Sequence, residues 1–412
     1  MNSLEKNNIP AGYKDSAVGI IPQEWEVKRL VDLCQNTGDY GINAPAVPYR
    51  EDLPTYLRIT DIDGWGKFIE TDKVSVDNPN SSQFILREGD IVFARTGATV
   101  GKTYLYDSKD GQLVFAGFLI RFTPNSNKAI PYYIKASTET ASYWNWVRII
   151  SQRSGQPGIN SVEYGAMKLA VPPMEEQRKI AEILGVWDEA IEKQSRLIEK
   201  LELRKRALMQ RLLTGRTRLS GFNTPWQKVK LGEIFKERNE TKCEHLPLLS
   251  ITAERGVILQ SESDKKDTSN DDKSKYKRIC PNDIGYNTMR MWQGRSALSA
   301  MEGIVSPAYT IVTPKVGIDP LFISELIKQP RVVYDFWTHS QGLVGDTLNC
   351  KFHDFSQVKV AIPSLPEQKA IAEVLTTADK EIATHRKKLD ALRFQKRGLM
   401  QQLLTGKTRV KM

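Results

Sequence analysis

The stretch PPMEEQRKIAEIL at residues 172–184 returns as PSLPEQKAIAEVL at 363–375, and ALMQRLLTGRTRL at 207–219 returns as GLMQQLLTGKTRV at 398–410. One constant offset aligns both pairs without a gap, with roughly 20 identities over roughly 48 positions. Chance matches do not hold register over that length. The 412-residue chain therefore reads as a duplication, and each copy reads as a variable module followed by a shared segment.

Both shared segments read as long helices. Each follows prolines, Pro172-Pro173 and Pro363 to Pro366, which stop a strand and suit a helix start. Glu175, Glu176 and Glu367 fall in the first turn, where the macrodipole favours acids. Gly215 and Gly406 stand among cations at the far ends, as C-caps do. Ile180, Leu184, Trp187, Ile191, Gln194, Ile198, Leu201, Lys205, Leu208 and Leu212 recur at alternating steps of four and three, a heptad seam. The second copy gives Ile371, Leu375, Ala378, Ile382, His385, Leu389, Leu392, Lys396, Leu399 and Leu403. The polar interruptions correspond, Gln194 with His385 and Lys205 with Lys396. Each helix spans roughly 55–60 Å at 1.5 Å per residue. Periodicity alone leaves parallel and antiparallel pairing open. An antiparallel pair under an approximate two-fold axis would put one module at each end. With full overlap it places Ile191 near Leu392, Ile198 near His385, and Trp187 near Lys396. The other reading of the seams is that both helices bind separate proteins.

The segments before each copy correspond more loosely. PQEWEVKRLVDL at 22–33 resembles PWQKVKLGEIF at 225–235, and EGDIVFART at 88–96 resembles PNDIGYNTM at 281–289. Short alternating runs such as YLRITDI, DIVFART, KTYLYD, FLIRFT and YTIVT read as strands. PYYIKASTETASYWNWVRII and DPLFISELIKQPRVVYDFW read as helical, and YGAMKLAVP and FSQVKVAIP as strands leading out. The expected fold is α+β: two globular α/β modules separated by two long helices that pair as a coiled coil, antiparallel if the two-fold arrangement applies. The boundaries are an N-terminal extension over 1–20, modules over 21–171 and 217–362, and helical segments over 172–216 and 363–412.

Composition narrows the chemistry. The net charge of +10 favours a polyanionic partner, nucleic acid ahead of an acidic membrane surface, although solubility alone also accounts for a basic balance. Cys34, Cys243, Cys280 and Cys350 form no C-x-x-C pair, and the four histidines are scattered, so no metal-ligand spacing is present. No apolar run is long enough to span a bilayer, and the polar N-terminus lacks a signal-peptide core, so a cytoplasmic location is expected. Gly97-Ala98-Thr99-Val100-Gly101-Lys102-Thr103 is one residue short of a phosphate loop, and a strand pattern follows it instead of a helix. It reads as a turn presenting Arg95, Thr96 and Lys102. No methylation, hydrolase or zincin motif occurs, so the chain is expected to be non-catalytic.

What remains is nucleic-acid chemistry. Arginine grips guanine edges bidentately, and Gln or Asn does the same for adenine. The candidates in the first module are Arg58, Arg95, Thr96, Lys102, Gln152, Arg153 and Gln156. In the second they are Asn287, Arg290, Trp292, Gln293, Arg295, His339 and Gln341. A competing class is a coiled-coil adaptor whose modules bind proteins and have no DNA specificity.

Two variable modules, each closed by P-P-x-x-E-Q-x-x-I-A-x-x-L or its near copy and a long helix ending L-L-T-G, resemble the specificity subunits of type I restriction–modification enzymes. YKDSAVGIIPQEWEVKRL at 13–30 is similar to that family's N-terminal opening. The resemblance covers essentially the whole chain; segments 172–218 and 363–409 carry it. It implies that each module is a target-recognition domain reading one half of a split, asymmetric double-stranded DNA site, and that the two helices form an antiparallel coiled coil that acts as a ruler. Two methyltransferase subunits would dock on the helical regions and bring S-adenosylmethionine. Two motor–endonuclease subunits would bring ATP and Mg²⁺, and no cofactor would bind this chain. Pro366 departs from the family's usual acid before Glu367-Gln368, and the loop His339–Asp346 departs from the first module.

Overall fold

The computed structural model describes residues 9–153, 155–252, 255–263, 270–342 and 348–411. It divides into two compact units, residues 1–194 with 388–412, and residues 195–387. The long helices run Met174–Leu212 and Leu365–Leu403, 39 residues each. Each unit therefore holds one module, the first half of the helix that follows it, and the second half of the other helix.

Within each unit the two helix halves run antiparallel. In the first unit Lys396 Nζ lies 2.7 Å from Asp188, beside Trp187, and Arg409 Nε lies 2.7 Å from Glu176. In the second, Lys205 meets Asp379 at 2.6 Å, Arg386 meets Glu202 at 2.6 Å, and Arg204 meets Glu381. The seam residues are buried or half-buried along both helices. The lysine interruptions acquire a reason. Each copy's seam lysine pairs with the aspartate that the other copy supplies, so neither ammonium is left desolvated and alone.

The E-Q pair of the repeat is buried and divides two tasks. Glu176, 1% exposed, accepts from Trp25 Nε1 at 2.9 Å and from Arg409. Glu367, 0% exposed, takes Arg218 at 2.6 and 2.7 Å. The T-G-R/K-T-R tail of one copy thus closes on the helix start of the other. Gln177 and Gln368 instead hold their own modules: their Oε1 atoms accept from the backbone N–H of Ile130 and Asp319, each at 2.9 Å, and their Nε2 atoms donate to Pro172 and Pro363. Ile130 and Asp319 cap the module helices Pro131–Ser137 and Pro320–Leu326. Gly215 and Gly406 take φ of +68° and +71° just past the helix ends. A Cβ at Gly406 would sit 2.4 Å from Pro22 Cδ, so glycine also lets this turn lie against the first module.

Each module is built on the same antiparallel four-stranded sheet. In the first the order is Asp39–Tyr40, Leu119–Phe122, Ile91–Ala94, Thr103–Leu105; in the second, Phe235–Glu237, Tyr309–Pro314, Ile284–Asn287, Ser296–Leu298. Strands Glu26–Arg29 and Gln227–Lys230 lead in and pair with Lys168–Val171 and Lys359–Ile362, which lead out. This pairing brings each module's ends together at its helix. The first module adds a second four-stranded sheet, where the second module has two-stranded ribbons. Apolar side chains tie module to helix: Ile21, Trp25 and Tyr133 pack with Ile180, Leu184 and Leu403, and Ile362 and Phe322 share a core with Leu212, Ile371 and Leu375.

Three local expectations change. PYYIKASTETASYWNWVRII is two helices, Pro131–Ser137 and Ala141–Ile150, because Thr140 caps the second by accepting from Tyr143 N–H. DPLFISELIKQPRVVYDFW breaks likewise, because Pro330 cannot continue a helix and starts Pro330–His339. The exit stretches begin as short helices, Ser161–Gly165 and Phe352–Gln357, before their strands.

Candidate nucleic-acid interface

The same crossing of two loops recurs at one edge of each module. In the first, the chain leaves strand Ile91–Ala94 at Arg95, whose N–H donates to Phe118 O at 3.0 Å and whose carbonyl accepts from Ile159 N–H at 2.9 Å. In the second, Thr288 N–H donates to Ala308 O at 3.2 Å and its carbonyl accepts from Cys350 N–H at 2.9 Å. Thr288 is therefore the structural counterpart of Arg95. A short turn follows in each, Gly97–Thr99 and Met291–Gln293, and then a glycine against the neighbouring helix. A Cβ at Gly101 would meet Val147 at 2.7 Å, and one at Gly294 would meet Val333 at 3.0 Å. Both glycines have positive φ, so this tight approach needs glycine twice over.

At the first edge the structure brings together Arg95, Thr96 and Gln156. The Arg95 guanidinium lies 4.9 Å from the centre of the Tyr40 ring. Thr96 bridges to Gly158, and a Cβ at Gly97 would lie 2.9 Å from Gln156 Nε2. Gln152 and Gln156 are exposed. Arg153 folds back, donating to Ile150 O at 2.8 Å and pairing with Glu163 at 2.5 Å. Lys102 turns inward and donates to Ile62 O at 2.9 Å. Arg58 is paired in fork geometry with Asp61, at 2.9 and 2.7 Å. Ser154, in the same loop as Arg153, lies outside the described residues.

At the second edge Asn287 ends its strand, and its Oδ1 accepts from Met289 N–H at 3.0 Å. Trp292 Nε1 donates to Met289 O at 3.0 Å, which lays the half-exposed indole along the turn. Gln293 and Arg295 are exposed, and Arg290 is half-buried. His339 Nδ1 contacts Asp335 O at 2.7 Å at the end of its helix, and Gln341 Nε2 donates to Asp354 at 3.1 Å. Of the loop His339–Asp346, residues 343–346 lie outside the described residues. Among the described residues no three His, Cys, Asp or Glu side chains gather as metal ligands do, and no helix is long and apolar enough to cross a membrane.

Sequence reading missed the aromatic rim of these edges. Tyr40 and Phe118 are 40% and 57% exposed beside Arg95. Tyr334 and Trp337 lie one helical turn apart, exposed, with ring centres 5.5 Å apart, on the helix packed against the Met291–Gln293 turn. The signal for the latter pair was their i, i+3 spacing away from the buried Val332 and Phe336.

The fold and these edges define a protein of two equivalent modules carried on paired helices, with different side chains in the same structural positions. The type I restriction modification DNA specificity domain matches residues 22–203 and 323–393. The chain belongs to that family. It is 26% identical over 430 residues to a putative type I restriction enzyme MjaX specificity subunit of Methanocaldococcus jannaschii, with 97% of each chain covered. It is 25% identical over 422 residues to the type I restriction enzyme MjaVIII specificity subunit of the same organism, with 95% of this chain and 94% of the relative covered. A type I restriction–modification system S subunit from M. genitalium superposes with a TM-score of 0.54 at 14% identity, over 100% of this chain and 99% of that one. A chain from a type I restriction–modification system solved for its complex assembly superposes with a TM-score of 0.56 at 17% identity, over 94% and 99%. These two likenesses show the fold.

Proposed function

We propose that this chain is the DNA-reading subunit of a type I restriction–modification complex, and that each module reads one half of a split, asymmetric duplex site. The observation that carries this reading is the pair of equivalent edges. One scaffold presents Arg95, Thr96 and Gln156 in one module and Asn287, Trp292, Gln293 and Arg295 in the other. A shared scaffold with different hydrogen-bonding side chains suits two different DNA words. The helices set the spacing between the words. They also dock two methyltransferase subunits, which carry S-adenosylmethionine, and two motor–endonuclease subunits, which carry ATP and Mg²⁺, complete the assembly. The chain itself is non-catalytic, binds no cofactor, and works in the cytoplasm.

The test is the methylome of a host expressing this subunit with its methyltransferase partner. A methylated adenine motif in two separated parts supports the reading. A methylome without such a motif overturns it and leaves the protein-binding adaptor ahead.

A further inference from the structure

The two modules share a sheet and an edge, but the first has attachments to the helices that the second does not repeat among the described residues. The loop Asp63–Lys67 carries Trp65, whose ring lies 4.8 Å from the Arg393 guanidinium and 5.2 Å from that of Arg397, both on the second long helix. Arg393 Nε is buried with no hydrogen-bond partner, and the Trp65 ring lies over the same guanidinium. One step along the same helix, Lys396 holds Asp188 at 2.7 Å, and Asp188 also accepts from the Tyr132 hydroxyl of the first module. Three consecutive contact positions, Arg393, Lys396 and Arg397, thus face one module.

The loop is rigidly built. Asp63 Oδ1 accepts from the N–H groups of Trp65 and Lys67 at 2.7 and 2.9 Å. Gly66 has φ +70°, and a Cβ there would lie 2.5 Å from Thr103 O. Ile62, at the base of the loop, accepts from Lys102 Nζ. Lys102 directly follows the turn that presents Arg95 and Thr96. A short, continuous chain of contacts therefore joins the reading edge to the helix: Lys102, Ile62, Trp65, then Arg393 and Arg397.

Among the described residues the second unit shows no equivalent of this two-arginine contact. Glu202 stands at the repeat position of Arg393 and is taken by Arg386, and Leu321, 46% exposed, stands at the repeat position of Tyr132. Arg206 keeps the cation of Arg397, and the Lys–Asp pair is common to both.

We propose that Trp65 is a positioning residue. Clamped by Arg393 and Arg397, it fixes the first module's reading edge against the helix pair and so narrows the range of spacer lengths the protein accepts between half-sites. The inference rests on the split-site reading above. Each base pair added to a spacer turns one half-site by about 35° around the duplex axis, so a module free to swing would tolerate a change that a clamped one refuses.

The experiment uses the full chain complexed with its methyltransferase partner and duplexes carrying both half-sites at the native spacer and at one base pair more or fewer. For the unaltered protein, the altered spacers should weaken binding about tenfold or more, comparable to one mismatched base pair. Trp65→Ala should reduce that penalty to about threefold or less, with the penalty for a mutated half-site unchanged. Trp65→Phe, which keeps a ring face for the cations, should restore most of the discrimination. Arg393→Met with Arg397→Met should relax the spacer as Trp65→Ala does, and this variant checks the inference if Trp65→Ala fails to fold. Trp65→Ala with an unchanged spacer penalty, or with a uniform loss at every spacer, overturns the clamp. An unaltered protein that ignores the spacer overturns the split-site reading itself.

Discussion

Arg95 is held at both ends of its peptide and its guanidinium rests on Tyr40, so its direction is set before any ligand arrives. A pre-oriented arginine loses little side-chain freedom on binding, which suits it to a bidentate base contact. Arg95→Ala should weaken binding to the first half-site about five- to a hundredfold, and leave discrimination at the second half-site intact. Binding titrations against duplexes mutated in one half at a time check this. Lys102 and Arg153 were equal candidates in sequence, since both are cations next to turns. Their side chains are occupied by Ile62 O and by Glu163, and nothing local in the sequence predicts that. The thiols divide similarly. Burial pushes Cys34 and Cys350 up to about 12, so both stay protonated near neutral pH. A thiol reagent should label Cys243 and Cys280 in the native protein, and Cys34 and Cys350 only after unfolding; mass mapping of labelled peptides distinguishes these.

At the scale of elements, the seam was legible because a heptad is a local pattern: each position is read against neighbours three and four residues away. The buried E-Q pair was legible only as a repeated motif. Its glutamates looked like helix-start acids, and their arginine partners lie 233 and 149 residues away. Glu176→Ala should lower the thermal midpoint, because it strands the Trp25 indole and Arg409. Arg409 remains partly solvated, which screens the loss, so about 2–3 kcal/mol is expected, just under the range for breaking a fully buried pair. Calorimetry of the full chain measures it. The Asp188–Lys396 pair should show coupling in a double-mutant cycle with Asp188→Asn and Lys396→Met, since the two charges meet directly at 2.7 Å on the half-buried seam.

For the whole molecule, the helices matter as lengths. A heptad added at matching places in both helices preserves the antiparallel seam and adds about 10 Å, roughly three base pairs at 3.4 Å each. The methylated motif should then keep both words and gain spacer; an unchanged motif would refute the ruler. The charge of +10 should appear as salt dependence. Contact with six to ten phosphates predicts a fall in affinity of about 10³–10⁵-fold between about 50 and 200 mM salt. A protein-binding adaptor would not show this on duplex DNA.

Sequence by itself determined the duplication, the long helices with their seams and glycine ends, and the strand-rich character of the modules. All of these rest on patterns that repeat within a few residues, or on one segment compared with another. Tertiary structure alone decided which copy's arginine closes on which glutamate, that diverged modules share one sheet order, and which loop cations face outward. Those outcomes depend on groups brought together across long stretches of chain. The desolvation of a carboxylate or ammonium is relieved by whatever partner the fold delivers, and the local sequence does not name that partner. Trp65 shows the difference most directly: in sequence it is an aromatic in a glycine-flanked turn, and in the fold it lies against two arginines more than 300 residues away.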